Sequence, residues 1–220
     1  MSSWIFRLVV GGIVCSAVGL WAAPASREPA NLDRLKQEIG RYVEAGTYRE
    51  DIAAVAAEAT AWLERRAAQG GKRLTVVFDL DETLISNWPH LKEMGFGYVP
   101  DVWTVWVKSA RGPAIEPVRE VYRAARRIGL EVVFLTGRTE RDRIGTEENL
   151  RAIGCGDYVM LICKADAAKE TTEQFKTAAR AKLEAGGHVI IANLGDQDSD
   201  LVGGHAEKIF KLPNPFYFTK

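Results

Sequence analysis

Two aspartates separated by one residue, Asp79 and Asp81, follow directly on the apolar run Leu74-Thr75-Val76-Val77-Phe78 and open the pentapeptide Asp79-Leu80-Asp81-Glu82-Thr83. Carboxylates at the end of a buried strand are costly to desolvate unless a site uses them, as nucleophile, as proton donor and acceptor, or as ligands for a hard cation. An acidic surface turn is the plain alternative, but it has no need of the hydrophobic strand before it. Leu135-Thr136-Gly137-Arg138 ends a second apolar run, with a hydroxyl followed by a glycine that lets backbone approach an anion. Alone, that pattern serves equally well for helix capping and turn geometry. Gly195-Asp196-Gln197-Asp198-Ser199-Asp200 follows a later apolar run and supplies hard oxygen ligands of the kind Mg²⁺ selects. A cation to balance this acidic edge could come from Lys176, ahead of that run, or from Lys164, after the preceding one. The residue pattern by itself does not choose between them.

The elements that must position these groups alternate. Strand patterns at Leu74–Phe78, Glu131–Leu135, Tyr158–Ile162, His188–Asn193 and Ile209–Leu212 are separated by helical patterns at Glu116–Arg127, Arg141–Ile153 and Ala167–Ala185. Continuous apolar strands divided by helices predict an α/β fold, a Rossmann-like doubly wound parallel sheet with its ligand beyond the carboxyl ends of the strands. Ahead of the first strand, an N-terminal segment 26–71 carries the spacing of two amphipathic helices meeting at Gly46-Thr47, which would pack on the core or help cover its site. The core is expected over 72–220. Within it the interval 86–115, holding Trp88, Phe96, Tyr98, Trp103 and Trp106, breaks the rhythm. A long insertion at the carboxyl end of a strand is usually functional, so a small cap-like wall of the pocket is expected there. Its rings could stack on a flat leaving group such as a nucleoside or an aryl ring, or simply pack the loop on the core.

Lysine plus arginine and aspartate plus glutamate each number 29, so no basic field exists for binding a nucleic acid polymer. Arg7 precedes an apolar run from Leu8 to Ala23, no charge follows until Arg27, and Ala23-Pro24-Ala25 offers small residues for cleavage. Residues 1–25 read as an export signal, placing the protein in a periplasm or outside the cell, with an uncleaved membrane anchor as the alternative. A lipoprotein reading of Cys15 is disfavoured by the bulky Val14 before it. Cys155 and Cys163 are too few for a disulfide framework and form either one disulfide or two small buried apolar positions. His90, His188 and His205 have no ligand spacing, which argues against a zinc site or a histidine phosphatase.

Together, Asp79-Leu80-Asp81-Glu82-Thr83, Thr136, Lys176 and Gly195-Asp196 to Asp200 resemble the four motifs of the haloacid dehalogenase superfamily of phosphatases, in order and at comparable spacing. The resemblance covers residues 72 to 213. The run DLDETL followed by Asn87, the pair Trp103 and Trp106, and the ending GDQxSDL look like the secreted acid phosphatases. These include the bacterial class B and C type enzymes and the plant acid phosphatases related to vegetative storage proteins. In that family the motif lysine opens a Lys-x-x-x-Arg pattern, matched by Lys176 and Arg180, and this selects Lys176 over Lys164. The chain departs from the bacterial class C pattern at Gln197, where it is closer to the plant members.

The resemblance implies a Mg²⁺-dependent acid phosphatase acting on small phosphomonoesters, in which Asp79 attacks phosphorus and the resulting aspartyl phosphate is hydrolysed by water. It implies Mg²⁺ at Asp79, at the backbone carbonyl of Asp81 and at Asp196, with Asp200 either orienting the metal's waters or binding it directly. Asp81 is implied as general acid and then base, a role that asks for it to be protonated at the first step and for an acidic pH optimum. Thr136 and Lys176 are implied to bind the phosphoryl oxygens. Thr83, Asn87, Trp103, Trp106 and Arg138 complete the candidate pocket, although Arg138 could instead be an ordinary helix-side surface residue. Rival functions are a storage or binding relative, which would be expected to have lost its nucleophile, and a phosphotransferase sharing every motif residue. A receiver domain fits the aromatic insertion and the export signal poorly.

Overall fold

The computed structural model describes Met1 and residues 28–219, so the export segment expected at 1–25 lies, Met1 apart, outside the described residues. Five strands, β1 (Leu74–Phe78), β2 (Glu131–Thr139), β3 (Met160–Lys164), β4 (Val189–Gly195) and β5 (Ile209–Lys211), form one sheet in the order β3-β2-β1-β4-β5. Every pairing is parallel, as expected from the sequence. All five residues of β1 are buried, which is why its sequence is continuously apolar rather than alternating. The chain runs outward from β1 through β2 to β3, then crosses back to β4 and β5. The order therefore reverses between β1 and β4, the place where ligands bind in open sheets of this kind.

Successive residues of β1 feed two layers. Val76 and Phe78 join a large apolar cluster with Val132, Phe134 and Leu194, while Val77 joins Val133, Leu135, Leu183 and Ile190 on the other side. Phe78 and Phe134 are fully buried with ring centroids 6.1 Å apart. Truncating either to alanine would cost about 3–5 kcal/mol. Helices α1 (Leu32–Glu44) and α2 (Thr47–Ala68) precede the sheet and are separated by Gly46, whose φ of 90° ends the first helix. Tyr48, Ile52, Ala56, Ala59 and Leu63, spaced three or four apart, form the buried face of α2. The crossover helices are α5 (Glu116–Arg127), α6 (Arg143–Ala152) and α7 (Thr172–Ala185).

The insertion folds into two short helices, α3 (Trp88–Glu93) and α4 (Pro100–Lys108). It leaves and returns through a narrow neck in which the Ser86 N–H donates to the Pro113 carbonyl and the Ile115 N–H to the Leu84 carbonyl, both at 2.9 Å. Gly145 lets α6 approach the end of α4, since a Cβ there would lie 2.7 Å from the Val107 carbonyl oxygen.

Several boundaries differ from those expected. β2 runs on to Thr139, so Thr136-Gly137 belongs to the strand and not to a turn. The strand continues because its pairing with β3 shifts register between Thr136 and Thr139 and resumes at Thr139 opposite Lys164. The helix expected from Arg141 begins as a 3-10 turn, Glu140–Asp142, before α6. α7 begins at Thr172 because Thr171 and Gln174 form a capping box at its start. The acidic stretch Asp198–Leu201 is a single helical turn, α8. Cys155 and Cys163 are buried and free, and burial pushes both thiols up to about 11.

Candidate active site

Asp79 follows the last residue of β1, and its backbone N–H donates to the Leu194 carbonyl of β4 at 2.9 Å, which fixes it at the reversal point of the sheet. From α7, Lys176 Nζ donates to Asp79 Oδ1 at 2.5 Å and to Asp200 Oδ1 at 2.6 Å, with all three side chains buried. One turn further along α7, Arg180 donates to the carbonyls of Asp200 at 2.6 Å, of Val202, and of Gly204 at 3.0 Å. A lysine and an arginine four apart on one helix face thus hold both the carboxylates and the loop that carries Asp200. Lys164 Nζ donates to the Glu170 carbonyl at 2.5 Å and is not among the groups that meet Asp79. Gly195 has no Cβ because one would sit 2.5 Å from Cβ of Asp200, which folds back over it.

Asp79, Asp196 and Asp200 each present a carboxylate oxygen within 4.8 Å of the others. Burial lifts the Asp79 carboxyl well above the usual carboxylate range, Lys176 opposes this, and Asp200, Asp196 and Asp81 add to it. Asp196 is raised by burial and by Asp200. Burial works against the Lys176 ammonium, yet the attraction of Asp79 and Asp200 is stronger and raises its pKa. Four carboxylates, with Asp81 the fourth, face two cations, Lys176 and Arg138, so that full ionisation of the cluster would leave two negative charges over. An all-oxygen donor set with that surplus fits a hard divalent cation.

Asp81 is held differently. Arg138 Nη2 donates to its Oδ1 at 2.6 Å, Arg138 Nε lies 3.1 Å from both of its oxygens, and Asn87 Nδ2 donates to Oδ1 at 2.9 Å. Burial pushes this carboxyl up, but the charge and hydrogen bonds of Arg138, with Asn87, carry it below the usual value. Arg138 is therefore a buried strand residue, and the alternative of a helix-side surface residue is corrected. Its side chain points inward because β2 continues through it, and Nη1 also donates to Thr146 Oγ1 at 3.1 Å.

A cavity of about 440 Å³ opens above these groups, with Asp79, Asp81, Lys176 and Asp196 in its floor and Tyr98, Trp103, Arg141 and Tyr217 among its walls. Trp103 lines it, in contact with the Arg138 guanidinium at 5.8 Å. Thr83, Asn87, Thr136 and Trp106 are not in the lining. Thr83 Oγ1 donates to Asp196 Oδ1 at 3.0 Å, Trp106 Nε1 donates to Asn87 Oδ1 at 2.8 Å, and Thr136 Oγ1 accepts the Arg138 N–H at 3.1 Å. These four brace the groups in front of them.

Sequence reasoning passed over Glu82 and the chain after the last strand. Glu82 is buried, accepts from the backbone and side chain of Asn87 at 2.6 and 3.0 Å and from the Tyr217 hydroxyl at 2.7 Å, and is pushed up to about 8, chiefly by burial. Tyr217, Phe218 and Thr219 line the cavity. The signal was Pro213-Asn214-Pro215-Phe216-Tyr217-Phe218, whose two prolines and three aromatics a solvated tail does not need. His90, scattered in the sequence, also lines the cavity and stacks on Trp106 at 5.4 Å.

The family described as HAD superfamily, subfamily IIIB (acid phosphatase) matches residues 13–220. Acid phosphatase 1 of Solanum lycopersicum is 34% identical over 185 residues, covering 82% of this chain and 72% of that protein. Stem 28 kDa glycoprotein of Glycine max is 34% identical over 186 residues, covering 81% and 72%, and vegetative storage protein 1 of Arabidopsis thaliana is 30% identical over 198 residues, covering 86% and 73%. The structure of the class C acid phosphatase from Bacillus anthracis superposes with a TM-score of 0.72 over 85% of this chain and 86% of its own, and its 22% identity makes this a likeness of fold. Sheet order and the acidic, lysine-bridged edge at its reversal point are those of an α/β phosphoester hydrolase. The chain belongs to the acid phosphatases of the haloacid dehalogenase (HAD) superfamily, subfamily IIIB. Its substrates are accordingly small phosphate esters.

Proposed function

We propose that the protein is a Mg²⁺-dependent acid phosphatase that hydrolyses phosphomonoesters, nucleotides or aryl phosphates, through an aspartyl phosphate on Asp79. The observation that carries this reading is the buried contact of Lys176 with both Asp79 and Asp200 in the floor of the cavity. Asp79, the Asp81 carbonyl and Asp196 would hold the cation, with Asp200 beside them. The cation supplies charge that screens the repulsion between a carboxylate and a phosphate anion. A carboxylate oxygen of Asp79 forms the bond to phosphorus as the ester oxygen leaves, and Lys176, kept cationic by its partners, draws the phosphoryl oxygens in. Thr136, expected as a second phosphoryl contact, lies within β2 behind the cavity lining, and its part is to hold the Arg138 backbone.

Asp81 gives the leaving oxygen its proton and takes one back from the attacking water, after which the bond between Asp79 and phosphorus breaks and phosphate is released. Arg138 favours the ionised form of Asp81 in the free protein, which suits the second of these steps. The first needs a proton, and at acid pH a phosphate monoester brings one, since its second ionisation lies near pH ~6. Trp103 and Tyr98 at the cavity wall suit a flat leaving group, whereas Trp106 is committed to Asn87. Export to a periplasm or the outside belongs to the same proposal, supported by the pattern of residues 1–25 and by a relative named as a glycoprotein.

A storage role, suggested by the relative of that name, is separated by one assay: hydrolysis of p-nitrophenyl phosphate between about pH 4 and 8, with Mg²⁺ or with chelator, for wild type and Asp79→Asn. Turnover that needs both Mg²⁺ and Asp79 is expected. Folded protein without turnover in any condition would favour storage, and turnover that survives Asp79→Asn would discard the nucleophile. Product formed on added glycerol would reveal phosphoryl transfer.

A further inference from the structure

We propose that the C-terminal segment 213–219 is part of the metal site, and that Gln197 and Asn214 are positioning residues through which it sets the orientation of the Asp196 carboxylate. This rests on the metal reading above. Asp196 Oδ2 accepts from Asn214 Nδ2 at 2.6 Å and from Gln197 Nε2 at 2.8 Å, while Oδ1 accepts from the Thr83 hydroxyl at 3.0 Å. With two lone pairs on each oxygen, Oδ2 is filled and the spare lone pair is on Oδ1.

The orientation of each amide is in turn dictated by the C-terminal segment. Asn214 Oδ1 accepts the Phe216 N–H at 2.8 Å, so its NH₂ must face the carboxylate. Gln197 Oε1 accepts the Thr219 N–H at 3.0 Å, and its Nε2 also reaches the Tyr217 carbonyl at 3.3 Å. Reversing either amide would set oxygen against carboxylate and NH₂ against N–H. The segment has independent anchors: the Leu212 N–H donates to the Gly195 carbonyl at 2.8 Å, buried Phe216 packs on Tyr48 and Trp88 with centroids at 5.2 and 5.4 Å, and the Tyr217 hydroxyl holds Glu82. Glu82 binds Asn87, and Asn87 binds Asp81, so one segment grips both acidic loops. The glutamine that marks this chain's last motif is thereby explained: it carries the connection from the segment to the carboxylate.

Tying down a chain end requires hydrogen bonds, but not to a carboxylate of the metal cluster, and metal affinity separates the two roles. Mg²⁺ would be titrated calorimetrically into the metal-stripped full chain and its Asp196→Asn, Gln197→Met and Asn214→Leu variants, together with a chain ending after Phe216. Near-ultraviolet circular dichroism and Tm would be read on each. Wild type is expected to bind Mg²⁺ and Asp196→Asn to lose it. Gln197→Met and Asn214→Leu should each weaken Kd by about 10-fold or more, as removing the partners of metal ligands does. Should one of these variants fail to fold, the other and the truncated chain decide. Wild-type Mg²⁺ affinity in the folded variants, beside loss in Asp196→Asn, would overturn this inference alone, with any Tm change then marking a merely structural tie. No Mg²⁺ binding by wild type would remove the metal reading itself, and the inference with it.

Discussion

Replacing Arg138 by methionine leaves the half-buried Asp81 at the cavity floor without its cation, and the cost should depend on pH in a way that the ion pair dictates. The two side chains are 2% and 18% exposed and meet through contacts of 2.6 and 3.1 Å, so solvent screens them little. Removing one partner of such a pair costs about 3–5 kcal/mol, equivalent to a fall in Tm of roughly 10 °C for a domain of this size. In the wild type the folded-state pKa of Asp81 is depressed. Its contribution is thus fully present above the unfolded value and lost only as pH falls through the folded value. In Arg138→Met burial acts unopposed by the guanidinium and raises the folded-state pKa, so the variant is penalised at neutral pH and recovers as Asp81 takes up a proton. That recovery is worth up to about 1.4 kcal/mol per pH unit. Urea unfolding in chelator should therefore give a loss of about 4 kcal/mol at pH 7.5 that shrinks to about 2 kcal/mol at pH 4.5. An equal loss at both pH values would refute the assignment of Asp81 as an ionised partner of Arg138.

Asp79→Asn should lower kcat by at least about 10⁴-fold, read with p-nitrophenyl phosphate, because in the proposed mechanism it removes the nucleophile and not an auxiliary contact. Lys176→Met should cost about 10²–10³-fold in kcat and destabilise the fold, since Asp79 and Asp200 lose their shared cation; activity within a few-fold of wild type would exclude Lys176 from the phosphoryl site. Glu82 has a folded-state pKa raised to about 8, so the wild type should lose stability as pH rises from the unfolded value toward 8. Glu82→Gln should flatten that slope by about 1.4 kcal/mol per pH unit, measured by denaturant unfolding at pH 5, 6.5 and 8. Trp103→Ala should raise KM for an aryl or nucleoside monophosphate more than for glycerol phosphate, whereas Trp106→Ala, acting through Asn87, should shift both alike.

The order of strands and helices was legible because each buried strand of a parallel sheet is a short apolar run, and Asp79 and Asp196 of the cavity floor follow two of those runs. Periodicity failed where backbone pairing continues without an apolar pattern. Thr136-Gly137-Arg138 read as the end of the strand and its turn, yet β2 runs through them past a register shift to Thr139. The choice of Lys176 over Lys164 needed either the family pattern or the observed reach of α7, because a helical lysine carries no local mark of its partner. Contacts between distant positions left no trace in the sequence pattern: Tyr217 bonds a residue 135 positions away, and Asn214 one 18 positions away. The tryptophans divided for a similar reason. Trp103 and Trp106 are three apart on α4, and only the first lines the cavity.

The neck of the insertion has a consequence for how such an enzyme can be altered. Residues 86–113 depart and return at points held together by two backbone hydrogen bonds and the Ile85–Ala114 bridge, on a sheet whose strands pair without them. Loop closure at such a neck is nearly indifferent to what lies between, a doubling of length costing only about 0.6 kcal/mol. The neck would thus admit exchange of the insertion, provided the replacement also packs on α6 at Gly145 and on Phe216. A graft that keeps Asn87, so that Asp81 and Glu82 retain their donor, could replace the aromatic wall while the acidic floor of the cavity stays in register.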